Sequence, residues 1–397
     1  MVLKAFKLRL YPNKTQRNQI HVNFGCARFV WNQMLNMHIE RYKNNKKAKF
    51  QGRYSMDVML KALKIEYPWL KQAESTSLQR VNRDLDDAFQ RFFNHSLQNG
   101  FPRFKSKKNT NQSYTSKFVN NNIRIVDEHH IKLPKLGLVY FKAGRILNGK
   151  IRAVTVSVNS RKQYQASILV ESENQTFKKT NKSVGIDLGL KSLTITSDGQ
   201  KEDILKVDDR LNKQLRIWER KKSRRYENAK KAMAFDEHDK VLFPRTDLKQ
   251  FPRYQQAVRT VAKLKRHIAE QRRDNLHKLT TRLVKDYDTI VVENLSVKNM
   301  MKNHHLSASI ANASWGTLIS QLKYKCAWYG KRLIIIDPKN TSRICHECKQ
   351  KNHEFDSLSQ SEWLAAREWD CPNCHAHLDR DVNAAKNILA KGLETLS

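Results

Sequence analysis

The sequence has 397 residues, and its 75 lysines and arginines against 38 aspartates and glutamates give a formal net charge of +37. This length predicts two or three domains with room for buried cores. No apolar run approaches the roughly 18–20 residues of a membrane span, and residues 1–14 lack the apolar stretch of a signal peptide. We therefore expect an intracellular protein without a membrane partner, whose excess positive charge attracts nucleic acid.

The first 180 residues carry most of the charge excess, with 34 basic and 11 acidic side chains. Alternating apolar residues predict strands at 4–10, 154–158 and 164–170, which could form a small barrel. Apolar residues at helical spacing predict helices within 15–98. The polar and unpatterned stretch 173–182 marks the predicted domain boundary.

One basic segment in this part is interleaved with aromatic rings. Residues 101–126 contain six basic and no acidic residues, and four rings lie among them: Phe101, Phe104, Tyr114 and Phe118. Cations bind phosphates and rings stack on bases, so this composition favours binding to RNA or single-stranded DNA. The alternative is a polar loop that its aromatic residues anchor.

From residue 184 onwards the pattern changes to short apolar strands separated by helices. Strands are predicted at 184–188, 193–196, 288–292 and 332–336. A long helical stretch is predicted over residues 205–285, and a further helix includes Trp315 and Cys326. This alternation indicates an α/β domain.

Four of the six cysteines form two CxxC pairs that are separated by 22 residues. The pairs are Cys345 with Cys348 and Cys371 with Cys374. They supply four thiolates for one tetrahedral Zn²⁺ ion, and a full set of four protein ligands predicts a structural ion. Cys26 and Cys326 lie on apolar helix faces and are predicted to be inert core residues.

Three alternatives to this zinc site stay open. Residues 371–375 match the CxxCH pattern of haem attachment, although a haem would leave the first cysteine pair unexplained. His375 or His377 could replace one cysteine as a ligand. A thioredoxin-like redox pair would need a βαβ context, which the pattern lacks.

Acidic residues are scarce, so carboxylates next to apolar strands stand out. Asp187 lies inside the predicted strand 184–188, and Glu293 ends the strand that begins at 288. Asp379 and Asp381 precede a predicted helix. A carboxylate among apolar residues is costly unless it is paired or binds a cation. Three converging carboxylates could hold two Mg²⁺ or Mn²⁺ ions for phosphodiester hydrolysis. Each acid also has a simpler explanation, because Asp187 could be a turn residue, Glu293 could begin a loop, and Asp381 could cap the helix.

Together the motifs resemble the TnpB family, RNA-guided nucleases of bacterial insertion sequences that are related to compact type V CRISPR effectors. The matching stretches run in the family's order across nearly the whole chain: Phe6–Pro12, Gly100–Lys105, Gly185–Gly189, Val291–Leu295, the two CxxC pairs and Asp379–Ile388. Two features depart from the family's pattern. Lys349 stands where the family usually has glycine, and residues 223–250 look longer than the usual connection.

The resemblance implies a multidomain α/β fold. It places an RNase H-like RuvC nuclease domain at 181–340 and 376–397, with a zinc ribbon at 341–375 inserted into it. It places a wedge domain, a β-barrel, at 1–14 and 99–180, and a helical recognition domain at 15–98 is inserted there.

The resemblance also implies site residues, cofactors and partners. The catalytic, Mg²⁺-binding acids (Mn²⁺ being the alternative ion) would be Asp187, Glu293 and Asp381, and the four cysteines would bind Zn²⁺. Asp381 is preferred to Asp379 because the family's last acid lies two residues before an asparagine, here Asn383. The partners would be a guide RNA from the transposon end and motif-flanked double-stranded DNA, in the bacterial cytoplasm at the nucleoid. Candidate nucleic-acid contacts are Tyr54, Ser77, Gln79, Arg103, Lys105, Lys107 and Lys108.

The sequence thus predicts an RNA-guided DNA endonuclease that cuts by Mg²⁺-dependent hydrolysis. Two other functions stay open. One is a transposase or transposon-accessory DNA-binding protein, which the order Asp, Glu, Asp and the late zinc ribbon argue against. The other is an RNA-guided repressor without cleavage, which the three intact acids argue against.

Overall fold

The computed structural model divides into two compact units, Met1–Glu173 and Asn174–Ser397. The division falls at the start of the polar stretch 173–182, and residues 174–180 group with the second unit rather than with the expected wedge domain. Residues 233–247, in the segment that departs from the family's pattern, lie outside the described residues. The structure describes residues 1–97, 99–109, 111–142, 149–159, 162–204, 209–232, 248, 250–304, 306–339, 341–356, 362 and 367–396.

The first unit combines helices with an antiparallel sheet. Its elements are β1 (Val2–Leu10), α1 (Lys14–Asn44), α2 (Arg53–Glu66), α3 (Ser75–Phe93), β2 (Gln112–Lys117), β3 (Arg124–Ile125), β4 (His130–Leu133), β5 (Gly137–Lys142), β6 (Lys150–Val158) and β7 (Tyr164–Ser172). The strand order is β2-β6-β7-β1-β5-β4-β3. Within the described residues no pairing joins β2 to β3, so closure of the sheet into a barrel stays a prediction.

The helices and the sheet of this unit share one hydrophobic core. Val154 and Val156 of β6 and Ile168 of β7 are buried together with Phe24 of α1 and Leu85 of α3. Burial of each such side chain stabilises the fold by about 1.5–3 kcal/mol relative to exposure. The predicted helical stretch 15–98 is therefore packed on the sheet through a common core.

The second unit is built around a mixed sheet. Its elements are β8 (Ser183–Asp187), β9 (Ser192–Thr196), β10 (Lys201–Asp203), α4 (Asp209–Lys231), α5 (Pro252–Asp286), β11 (Thr289–Glu293), α6 (Val297–Met300), α7 (Ser307–Ala313), α8 (Trp315–Tyr329), β12 (Arg332–Ile336), β13 (Glu368–Asp370), β14 (His377–Asp379) and α9 (Arg380–Glu394). Its strand order is β10-β9-β8-β11-β12. Strands β8, β11 and β12 run parallel, whereas β9 and β10 are antiparallel to their neighbours.

The two faces of this sheet are covered by different helices. Val184 and Ile186 of β8 lie in one core with residues of α5 and α8, including Leu283 and Leu322. Successive strand residues point to opposite faces, so Gly185 faces the other side, where α9 packs. A β-carbon built on Gly185 would lie 2.1 Å from the backbone oxygen of Ala385 in α9, so this close approach requires glycine.

The segment between β12 and α9 forms a small ribbon with its own core. Strands β13 and β14 pair antiparallel, and an isolated bridge joins Ile344 to Lys351. The core consists of Cys345, Phe355, Trp369, Cys371 and Leu378. Across the described residues of both units, no helix is long and apolar enough to span a membrane.

Candidate active site and metal centre

Two predicted acids end adjacent parallel strands. Asp187 is the last residue of β8 and Glu293 is the last residue of β11. Ile186 pairs with Val292 in the register, so Asp187 and Glu293 are the next cross-strand neighbours. Neighbouring strands lie about 4.8 Å apart and side chains at the same register share a face, so both carboxylates project from the same edge and face of the sheet.

Helix α9 brings the third acid to this edge. It packs on the face that carries Asp187 and Glu293, because Ala385 of α9 touches Gly185, which lies two residues before Asp187. Asp381 lies one helical turn before Ala385 and therefore on the same side of α9. The structure thus brings Asp187, Glu293 and Asp381 together from three separate parts of the sequence.

The start of α9 separates the roles of the two neighbouring aspartates. Asp379 is the N-cap residue, and its Oδ1 accepts hydrogen bonds of 3.0 Å from the backbone N–H groups of both Asp381 and Val382. Its Oδ2 accepts a hydrogen bond of 2.5 Å from the Nζ of Lys201. The simpler explanation that Asp381 caps the helix is therefore wrong. Asp379 caps it, and the Asp381 side chain is not needed for that purpose.

The electrostatics of the three acids reflect their proximity. Burial is the largest cause of a pKa of about 7 for Asp187, and the negative charges of Glu293 and Asp381 contribute to the same rise. Burial also raises the pKa of Glu293, although a hydrogen bond from Thr341 opposes this shift. Crowded and partly desolvated carboxylates of this kind are common at functional sites.

Two arginines neutralise part of this charge. Asp381 accepts a hydrogen bond of 3.1 Å from the Nη2 of Arg380 and one of 3.3 Å from the Nη1 of Arg367.

Thr341 donates its hydroxyl to Oε1 of Glu293 at 2.5 Å, with both residues buried. No sequence pattern described above predicts any of these three partners. Arg380 lies inside the motif Asp379–Ile388 and could have been singled out there, whereas Thr341 carries no signal of its own.

The described residues contain one cluster of three or more metal-ligating groups whose ligand atoms all lie within 4.8 Å of one another, and it consists of the four cysteines. Asp187, Glu293 and Asp381 do not form a second cluster of this kind among the described residues. Their hard oxygen atoms are nevertheless the ligand type that Mg²⁺ and Mn²⁺ prefer. A divalent cation would relieve their mutual repulsion, which adds to burial in raising the pKa of Asp187.

Two distances within the cysteine cluster match the edges of a tetrahedral zinc site. The Sγ atoms of Cys345 and Cys374 are 3.7 Å apart, and those of Cys348 and Cys371 are 3.6 Å apart. A tetrahedron with Zn–S bonds of about 2.3 Å has S–S edges of about 3.8 Å. Neither His375 nor His377 belongs to the cluster. His377 instead contacts Asp370 through its Nδ1 at 2.8 Å.

The two CxxC turns have the same backbone geometry. The N–H of Lys349 donates to the carbonyl of Cys345 at 3.0 Å, and the N–H of His375 donates to the carbonyl of Cys371 at 2.8 Å. Lys349 has φ of +62° and His375 has φ of +57°. These left-handed values favour glycine. The turn at Lys349 nevertheless has the same shape as the turn at His375, although Lys349 departs from the family's pattern.

Thiol ionisation differs between the first two cysteines. Hydrogen bonds to the Cys348 sulfur, above all the one from the backbone N–H of Gln350, together lower the pKa of that thiol to about 6. Burial raises the pKa of Cys345 to about 12. Cys26 and Cys326 are free, buried residues of the two large cores, as predicted.

The candidate nucleic-acid residues differ in accessibility. Tyr54 is 74% exposed and its ring lies under the Arg53 guanidinium. Ser77 is fully buried, and its hydroxyl donates to the carbonyl of Glu74 at 2.6 Å, so nothing in the structure supports it as a contact. The remaining candidates are exposed: Gln79, Arg103, Lys105, Lys107 and Lys108.

The start of the basic segment is anchored to α1. The Nε1 of Trp31 donates to the carbonyl of Arg103 at 2.9 Å, and the side chain of Asn32 bonds both the N–H and the carbonyl of Lys105. The Lys105 ammonium lies 3.7 Å from the centre of the Trp31 ring. This motif therefore has a structural role, while Arg103 and Lys107 stay accessible.

Three family models match parts of the chain. Residues 1–47 match a helix-turn-helix domain, residues 167–304 match a family described as "Probable transposase", and residues 315–388 match the Cas12f1-like TNB domain. In the structure, residues 2–44 form β1 followed by one long helix, α1, which is not a helix-turn-helix arrangement.

Relatives and one solved structure match nearly the whole chain. A Streptomyces pristinaespiralis protein is 32% identical over 99% of this chain and 90% of its own length. InsQ of Escherichia coli K12 is 31% identical over 100% of this chain and 94% of its own. Both are provisionally named RNA-guided DNA endonucleases. A cryo-EM structure titled as a Cas12f1–sgRNA–target DNA complex matches with a TM-score of 0.57 and 14% identity over 98% of each chain, which shows a shared fold. The chain therefore belongs to the TnpB family.

Proposed function

We propose that this protein is an RNA-guided DNA endonuclease whose cleavage site comprises Asp187, Glu293 and Asp381. The observation that carries the proposal is the convergence of these three acids at one edge of the β8–β11 sheet. A structural or purely binding role would not need three carboxylates there, because their repulsion opposes folding.

The relatives and the net charge support the assignment of RNA as the guide and DNA as the substrate. Two full-length relatives are named for RNA-guided DNA cleavage, and the solved structure with the same fold holds a guide RNA and target DNA. The net charge of +37 suits a protein that covers two polyanions. Base pairing with the guide would read the target sequence, and the protein would read duplex shape and a short flanking motif. Such a complex would act at the nucleoid, in the cytoplasm.

Each residue of the site has a distinct part in this function. Asp187, Glu293 and Asp381 would hold Mg²⁺ or Mn²⁺, which supplies an activated water and a stabilised leaving oxygen for phosphodiester hydrolysis. Thr341 fixes one oxygen of Glu293 and leaves the other one available. Arg380 and Arg367 place positive charge beside Asp381, where the backbone phosphate would have to approach.

The four cysteines would hold one structural Zn²⁺ ion. Two of their Sγ–Sγ distances match those of a tetrahedral site, and the complete set of four thiolates leaves no open position for catalysis. We assign the ribbon as the insert in a RuvC-like nuclease domain, and the first unit as the wedge and recognition domains. The mixed sheet of the second unit and the match of residues 315–388 support this assignment.

The test is to express the gene with its own flanking DNA and to sequence the nucleic acid that copurifies. We expect one discrete RNA from the 3′ flank, which directs Mg²⁺-dependent cutting of a matched duplex. Binding without cutting would favour a repressor. Joining of transposon ends without RNA would favour a transposase, and either result would overturn the proposal.

A further inference from the structure

The zinc ribbon and the carboxylates are joined by a continuous chain of hydrogen bonds. Asn383 and Asn387 lie one turn apart on α9, on a different side of the helix from Asp381. Asn383 is 1% exposed and Asn387 is 8% exposed. Both amides point at the backbone that enters the first CxxC turn.

The contacts of these amides are specific. The Nδ2 of Asn383 donates to the carbonyl of Ile344 at 2.8 Å, and its Oδ1 accepts from the N–H of His346 at 2.8 Å. These two residues flank the zinc ligand Cys345. Asn387 donates to the carbonyl of Ile344 at 2.6 Å and to the carbonyl of Thr341 at 2.9 Å. The Asn383 amide therefore binds the backbone on both sides of Cys345, and the Asn387 amide links Ile344 to Thr341.

Thr341 extends the chain into the active site. Its hydroxyl donates to Oε1 of Glu293 at 2.5 Å, and Thr341 and Glu293 are 7% and 6% exposed. A buried bond of this kind restricts the rotamer of the carboxylate and the position of its second oxygen. Helix α9, which the two amides hold against the ribbon, also carries Asp381.

We propose that Thr341, Asn383 and Asn387 are positioning residues through which the four-cysteine centre sets the placement of Glu293 and Asp381. The proposal rests on the proposed function of these acids. The ribbon would then have a second role, because zinc binding at the four cysteines would maintain the geometry of the cleavage site. Groups that orient metal ligands typically change metal affinity or activity by about 10–100-fold when they are mutated.

The primary test measures Mn²⁺ affinity by electron paramagnetic resonance, because this readout needs no cleavage. The full-length protein is titrated with Mn²⁺, and the signal of Asp187→Asn is subtracted as background. We expect Thr341→Val to weaken Mn²⁺ binding by about tenfold. Thr341→Ser, which restores the hydroxyl, should recover the wild-type affinity. Thr260→Val is the matched control, because the Thr260 hydroxyl bonds the carbonyl of Gln256 within its own helix.

The second test measures zinc release to a colorimetric chelator. Asn383→Ala and Asn387→Ala should release zinc faster than wild type and also bind Mn²⁺ more weakly. Asn299→Ala, at an exposed position, should do neither. Thr341→Val should keep one zinc per chain. Thr341→Val should reduce Mn²⁺ affinity less in the Asn387→Ala background than in the wild-type background, because Thr341 and Asn387 belong to the same chain of hydrogen bonds.

The outcomes separate this proposal from the proposed function. Wild-type Mn²⁺ affinity in Thr341→Val, or failure of Thr341→Ser to recover affinity, would overturn the role of Thr341. Unchanged zinc release in both asparagine variants would overturn the link to the ribbon. If the wild-type protein shows the predicted coupling but cuts no guide-matched DNA, the proposed function fails while the coupling stands.

Discussion

The cysteine site and the carboxylate site reach their geometry by different routes. Each cysteine pair is formed within a four-residue turn, and the backbone hydrogen bonds of that turn aim both thiols at one point. The carboxylates come from β8, β11 and α9, whose closeness depends on sheet pairing and on the packing of α9. The first site is specified locally, whereas the second is a product of the whole second unit.

This difference predicts that the cysteine site and the carboxylate site respond differently to substitutions. A local site should fail when a ligand is lost and tolerate changes elsewhere. A site assembled by packing should also fail when the packing changes, even where no ligand is touched.

Asp187→Asn should abolish cleavage. The change removes one charge from the crowded edge and replaces a carboxylate ligand with a weaker, neutral amide, so we expect a loss of about 10³-fold or more, which equals about 4 kcal/mol. Binding of the RNA-loaded protein to its target duplex should be unchanged in a filter-binding assay. The control is Asp203→Asn, because Asp203 is an exposed carboxylate that ends β10. Residual cutting close to wild type would exclude Asp187 from the site.

Cys371→Ser should remove the zinc ion and unfold the ribbon. Cys371 is buried in the ribbon core, and serine is a poor zinc ligand. Atomic absorption should show a fall from one zinc per chain to nearly none, with a lower melting temperature. Cys326→Ala should keep its zinc, because Cys326 lies in the core of α5 and α8 instead. One retained zinc per chain in Cys371→Ser would contradict the four-thiolate site.

Gly185→Ala should damage the carboxylate site without touching a ligand. The new methyl group would overlap the backbone of α9 at Ala385, so α9 must move, at a stability cost of about 1–3 kcal/mol or more. We expect cleavage to fall while zinc content stays at one per chain. Gly316→Ala is the matched control, since no atom lies within 4 Å of its added methyl, and we expect it to be neutral or stabilising by up to about 1 kcal/mol. Full activity in Gly185→Ala would mean that helix packing does not set the site.

Lys349→Gly should stabilise the zinc turn. Lys349 adopts a left-handed φ of +62°, which costs an L-residue about 1 kcal/mol that glycine does not pay. The urea concentration at which zinc is released should therefore rise. Gln350→Gly, one residue later, should instead lower that concentration, because Gln350 does not have a positive φ and glycine only adds flexibility there. Equal effects of both changes would refute the assignment of strain to Lys349.

Much of this organisation could be predicted from the sequence, because its signals are short-range. The CxxC spacing predicted the cysteine cluster, and apolar runs predicted the strands that end at Asp187 and Glu293. The choice between Asp379 and Asp381 was harder. It depends on where α9 begins, because a start two residues later would make Asp381 the capping residue instead of Asp379.

Other features depend on tertiary contacts that leave no periodic trace. Ser77 looks like an accessible polar residue in the sequence, but α3 turns it into the core, where the backbone of Glu74 accepts its hydroxyl. Thr341 becomes significant only because the fold brings it to Glu293, 48 positions earlier. Hydrophobic pattern alone could identify neither.

The most direct test of the account is programmed cleavage by the purified protein–RNA complex. The guide portion of the copurified RNA is replaced by a new sequence, and a plasmid with the matching target beside the flanking motif is incubated with Mg²⁺. We predict that the cut moves to the new target, requires the divalent ion and disappears in Asp187→Asn. A cut that ignores the guide, or that persists in Asp187→Asn, would contradict it.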